Sequence, residues 1–219
     1  MSPQVLCKLE NQEVSMKFSV GDKVMHPKFG PGEITGETNR ELVEGFEQYF
    51  VIEVIRTGAT AYIPKRKMAE LGVRQVMSRK KMAQALSILR STPSVLANDY
   101  KQRQAGVQEK LQTCRPSSVA EAIRDLAWHR IRKHLTQKDE DLLNRGRELL
   151  AGEMALATDT EMTDAQEAID TMLLIAVARG QGASDGSQAD VAALAATSES
   201  WIQKLLDRVG KRQEVSASA

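Results

Sequence analysis

The sequence predicts an α+β protein: a small, strongly bent antiparallel β-barrel followed by a helical bundle. Two observations carry that expectation. Six of the nine aromatic residues (Phe18, Phe29, Phe46, Tyr49, Phe50 and Tyr62) precede residue 63, and aromatic side chains favour strands. After Val73 the apolar period changes from two to about 3.6 residues, the spacing of a helix face. The chain therefore divides into an N-terminal extension 1–17, a barrel module 18–73, a helical module 74–179, a linker 180–189 and an amphipathic C-terminal helix with its tail, 190–219.

Within the barrel, Phe18 to Val24 reads as the first strand and Gly30-Pro31-Gly32 as a turn. Glu33 to Arg40, Gln48 to Ile55 and Thr60 to Ile63 read as the second, third and fourth strands. Gly21-Asp22 and Gly58 supply tight connections, and Pro64 ends the fourth strand because it cannot donate to a ladder.

Helices follow. Met82, Leu86 and Leu89 keep one face of Ser78–Leu89 apolar, and Pro93 stops that helix. A second spans 99–112. Ser118 with Glu121 reads as the capping box of a third, whose stripe is Ile123, Leu126, Ala127 and Ile131. Thr136 and Asp139 start a fourth, carrying Leu142, Leu143, Leu149, Leu150 and Met154. Thr163 with Gln166 caps a fifth, with Ile169, Met172, Leu173 and Ala176 on one face. The run GQGASDGS, 180–187, is linker-like. Beyond it Trp201, Leu205 and Val209, beside Ile202 and Leu206, form a row that packs back on the bundle, makes a dimer seam or docks on a partner; folding back is favoured.

A chain with 42 % hydrophobic residues and a mean hydropathy of −0.36 is expected to be globular. No apolar run reaches the roughly 18–20 residues of a membrane helix. The start of the chain lacks a secretory pattern, and Cys7 and Cys114 lack metal or CxxC spacing, so a cytoplasmic protein with reduced thiols is expected. The net charge of +1 conceals segregation. Residues 74–134 hold 13 Lys+Arg against 4 Asp+Glu, whereas 135–219 hold 8 against 15. Such a basic block suits either a phosphate-binding module or a solvated face.

Catalytic signals are sparse. His26, His129 and His134 are scattered, and a spacing of five does not stack two imidazoles on one helix face. No phosphate loop, nucleophile elbow or shielded carboxylate pair is visible, and Asp139-Glu140-Asp141 reads as a charged first turn favoured by the helix dipole. No enzyme, cofactor or metal is expected.

The opening FSVGDKVMHPKFGPGEI, the strand pair ending in TAYIP and the following ELGVR resemble the bacterial CarD family, whose N-terminal Tudor-like module is shared with the transcription-repair coupling factor. VAEAIRDLAWHR and LLNRGRELLAGEMALA resemble that family's helical domain, so the likeness covers both modules in order over about residues 17–178. The resemblance implies a non-enzymatic transcription regulator. In that family the barrel docks on the RNA polymerase beta subunit. The family's helical domain reaches promoter DNA at the upstream edge of the melted bubble, where an aromatic wedge in the minor groove slows collapse of the open complex, and the same is expected here. Lys and Arg hold phosphates there without reading sequence. The protein would follow polymerase to the nucleoid.

By that resemblance Tyr100 stands where the family usually has its wedge Trp, and offers less stacking area plus a hydroxyl. Lys101, Arg103 and Lys110 are the expected phosphate contacts, while Asp99 stands where the family tends to carry Asn and would repel phosphate. On the barrel, Arg40 matches an arginine used at the beta-subunit surface and Leu42 an apolar contact beside it. Tyr62 replaces a second arginine, so docking rests more on apolar contacts and strand addition. Trp128 reads as core or domain-boundary packing. A monomer is expected, with the C-terminal helix as the alternative dimer seam. The competing class is a protein adaptor on polymerase or another partner that never touches DNA.

Overall fold

The computed structural model describes residues 18–180 and Gln203; the readings for 1–17 and for the C-terminal segment lie outside the described residues, apart from Gln203. The architecture is α+β. Strands β1 (Lys23–His26), β2 (Gly30–Val43), β3 (Phe46–Val54), β4 (Thr60–Pro64) and β5 (Arg74–Gln75) form one antiparallel sheet in the order β4-β3-β2-β1-β5. No pairing joins β4 to β5, so the barrel is an open, curled sheet. Among the described residues up to Gly180 five helices follow: α1 (Arg79–Leu89), α2 (Tyr100–Gln112), α3 (Pro116–Arg132), α4 (Gln137–Thr158) and α5 (Met162–Gly180).

Several local readings need correction. The first strand starts at Lys23, not Phe18, because Gly21 adopts φ 91° and Asp22 accepts a hydrogen bond from Ser19 N at 2.8 Å, making 18–22 a turn. Gly30-Pro31-Gly32 is strand. The real turn is Pro27–Phe29, held by His26 Nδ1, which accepts from the backbone N–H groups of Lys28 (3.0 Å) and Phe29 (3.3 Å). Burial, then the Lys28 charge, holds the His26 imidazole below its ordinary pKa, which suits an accepting nitrogen. Strand β5 continues the sheet two residues past Val73 by pairing with β1.

Helix starts follow the same logic. Ser78 and Asp99 cap α1 and α2 through Lys81 N and Gln102 N, and Thr136 with Asp139 forms a complete capping box on α4. Ser118 is no cap. Pro116, whose fixed φ suits the first helical position, opens α3 two residues earlier. Thr163 is likewise inside α5, which begins at Met162. Ile131 is exposed, off the stripe that Ile123, Leu126 and Ala127 bury.

Two apolar cores result. One lies inside the curled sheet around Val24, Ile34, Phe50, Ile52, Ile63 and Val73. The other fills the bundle around Leu86, Leu89, Ile123, Leu126, Leu143 and Ile169. Between them is a polar seam. Met25 pairs with Pro31 and with Arg74 across the sheet, and cross-strand partners share a face. That row meets α4: a methyl at Gly152 would come within 2.7 Å of Pro31, and Arg74 binds the buried Glu153 carboxylate. Arg74 also donates to the carbonyl of Cys114, a residue of φ 48° between α2 and α3. Cys114 is a free, buried thiol whose Sγ lies 3.6 Å from Pro27 O; burial pushes its pKa up, against the pull of Arg74. Lys23 reaches Leu156 O at 3.0 Å and pairs with Asp159. The sheet and the bundle are thus locked in one orientation.

Candidate nucleic-acid interface

The N-terminus of α2 is the most exposed aromatic position on the basic part of the chain. Asp99 accepts from Gln102 N at 2.9 Å, which ends the loop and places Tyr100 at the first helical position. Tyr100 is 49 % exposed, so it is not core packing, and the Lys101 ammonium lies 6.0 Å from its ring centroid. Asp99 spends its carboxylate as the helix cap.

Buried arginines hold the loop that delivers Tyr100. Arg103, three residues on, points into the bundle and is only 5 % exposed. Its Nη2 lies 2.7 Å from Asp139 Oδ2, and its Nη1 donates to the carbonyls of Ala97 (3.1 Å) and Asn98 (3.2 Å). This corrects the expected phosphate role of Arg103, because its donors are consumed inside the protein. Asp139 is fully buried. Burial alone would raise its pKa, but hydrogen bonds from Arg103 and Thr136 hold it below the usual carboxylate range. On the other side Arg124 binds Asp125 Oδ1 (2.7 Å) and Ser91 Oγ (2.6 Å), and Asp125 accepts from Ser94 N at 2.9 Å. Residues 91–99 therefore carry no regular structure yet are pinned at both ends. Sequence reasoning missed this network, although the odd pairing of Arg124 with Asp125 on an otherwise apolar helix face was its one visible sign.

The remaining cations sort by geometry. Lys101 is exposed beside Tyr100. Lys110 is ten residues along α2, about 15 Å away at 1.5 Å per residue, and pairs with Glu121 at 3.0 Å; it does not share the Tyr100 site. In its place the structure brings up Lys133, whose Nζ is 2.5 Å from Asn98 Oδ1, and Arg132, whose guanidinium is 5.7 Å from the Trp128 ring. Both line a groove of about 240 Å³ with Leu96, Trp128 and His129, and Val95 on its rim is 78 % exposed. Trp128 itself is buried, as its place beside the stripe suggests. His129 is held below its ordinary pKa by burial first, then by Arg103, with Asp139 opposing.

Arg40, Leu42 and Tyr62 are all exposed on the sheet. Arg40 and Leu42 sit in the irregular stretch of β2 between the Asn39–Gln48 and Val43–Phe46 pairs, and Tyr49 Oη accepts from Val43 N at 2.9 Å. Tyr62 lies on β4 opposite Val51, at the sheet edge. The structure gathers the first two at one hairpin end and leaves Tyr62 two strands away.

Among the described residues no three His, Cys, Asp or Glu side chains gather as metal ligands, and no helix is long and apolar enough to cross a membrane. Residues 18–77 match the family model described as CarD-like/TRCF RID domain, and residues 84–170 match that of the CarD C-terminal domain. A Bacillus subtilis (strain 168) protein described as "Putative transcription factor YdeB" is 27 % identical over 137 residues, spanning 63 % of this chain and 90 % of that protein. Two consecutive domain models in the family's order, on a curled sheet followed by a five-helix bundle, place this chain in the CarD family of transcription regulators.

Proposed function

We propose that the sheet docks on the RNA polymerase beta subunit while the Tyr100 face of the bundle grips promoter DNA at the upstream edge of the bubble and prolongs the open complex. The observation that carries this reading is the half-exposed Tyr100 ring at a helix N-terminus, beside Lys101, on a loop pinned by Arg103 and Asp125. A wedge needs such a platform, since a ring that rotates away gains nothing from an unstacked base step. Lys101, Arg132 and Lys133 supply sequence-independent phosphate contacts. The locked seam makes the sheet and the Tyr100 face one rigid ruler, so docking at one end fixes the other.

The test is open-complex lifetime with Tyr100→Ala and Tyr100→Trp. Base–aromatic stacking contributes about 1–3 kcal/mol per ring, so Ala shortens the lifetime and Trp lengthens it, with polymerase affinity unchanged. Lifetimes that track melting temperature instead of ring size overturn the wedge. Arg40→Glu tests the other end by weakening beta-subunit binding without altering circular dichroism.

One observation favours the adaptor reading. Much of the basic block is internally neutralised: Arg74, Arg103 and Arg124 are ion-paired within the protein, and Arg130 and Lys110 have acidic partners. Salt dependence separates the two, because phosphate contacts weaken steeply with salt and apolar docking does not.

A further inference from the structure

The last turns of α5 present an apolar face that the described residues leave open. From Thr171 to Ala178 the helix has no charged residue. Its inner row of Met172, Ile175 and Ala176 is buried, yet Leu174 on the outer side is 60 % exposed. A helix apolar all round is ordinarily covered all round. The outer positions Asp164, Glu167, Thr171, Leu174 and Ala178 follow alternating steps of three and four, so they form one continuous seam that is acidic at its start and apolar at its end.

We propose that the segment around Trp201 covers this seam as a helix antiparallel to α5 within the same chain. Gln203 is helical and exposed. It lies about 200° around a helix from both Trp201 and Leu205, so the solvent side of that helix is the side away from the apolar row. In an antiparallel pair, residues whose numbers add to a constant are level. The register that sets Trp201 opposite Leu174 also sets Arg208 opposite Glu167 and Lys211 opposite Asp164, matching apolar to apolar and basic to acidic. In that register Ala195 would be level with Gly180, and the fourteen residues between them are ample for the 8–10 Å between packed axes. A tethered segment competes at millimolar effective concentration, which favours the chain's own tail over a second copy.

The test uses the full chain with Trp128→Phe, so that Trp201 reports alone. The proposal expects buried-type Trp201 emission that is independent of protein concentration, with a monomeric mass by light scattering. Leu174→Glu shifts that emission to the exposed value; Glu167→Arg does so partly, and adding Arg208→Glu restores it. Both α5 sites are exposed in the described structure, so these variants fold. Exposed-type emission in the parent chain, burial that grows only with a dimer population, or emission indifferent to Leu174→Glu overturns the proposal.

Discussion

Arg74 on β5 and Glu153 on α4 meet across the sheet–bundle seam in a two-pronged ion pair, Nη1 to Oε1 at 2.5 Å and Nη2 to Oε2 at 2.9 Å. A two-residue strand thereby anchors one module to the other. Removing one partner of such a pair strands the other charge in a dry site, at a cost of about 3–5 kcal/mol. Arg74→Met is expected to lose stability in that range by urea denaturation. It should also shorten open-complex lifetime with little change in polymerase affinity, because the ruler loses its stiffness and not its contacts.

Arg103 and the surface cations should separate cleanly. Replacing Lys101, Arg132 and Lys133 together by Ala removes phosphate contacts and should lower the salt slope of DNA binding by about 0.9 per contact, while stability changes by about 1 kcal/mol or less. Arg103→Met, by contrast, leaves buried Asp139 unpaired and should cost about 3 kcal/mol with the slope preserved. An unchanged slope in the triple variant, measured by titration between low and moderate salt, would hand the site to the adaptor reading.

Acid sensitivity follows from the lowered groups. Asp139 titrates below its ordinary 3.8 in the fold, so between the two values the unfolded chain binds more protons and stability rises with pH. The contribution of Asp139 is full above the unfolded value and is lost as pH falls through the folded one. His26 and His129 are also lowered from 6.5, and for them stability starts to decline as pH drops below 6.5. Melting temperature should therefore step down twice on acidification. Exchanging His26 and His129 for Gln should remove the upper step only.

Two helical glycines should reverse the usual propensity rule. Gly→Ala in a helix ordinarily gains about 1 kcal/mol. At Gly146 a methyl would lie 2.4 Å from Ile123 Cγ2, and at Gly152 2.7 Å from Pro31 Cγ. Overpacking of this kind costs about 1–3 kcal/mol, so both Ala variants should melt lower. Gly152→Ala should also impair open-complex lifetime, since it wedges the sheet away from α4, whereas Gly146→Ala acts inside the bundle.

Local chemistry was legible in the sequence. The aromatic bias and the change of period separated sheet from bundle, and Thr136 with Asp139 marked the start of α4 because each side chain bonds an N–H group only three residues away. The same short reach explains the failures at Ser118 and Thr163, where competing starts lay one or two residues upstream. What only the tertiary structure decided is which charges face water. Lys101 and Arg103 look alike in a count of basic residues, but two positions on a helix are about 200° apart, and Asp139 waits on the inner side from 36 residues away. Arg74 found its carboxylate 79 residues away, and β5 its partner strand about 50 residues back. A charge's identity is written at its own position, whereas its burial depends on a partner that distant folding brings to it.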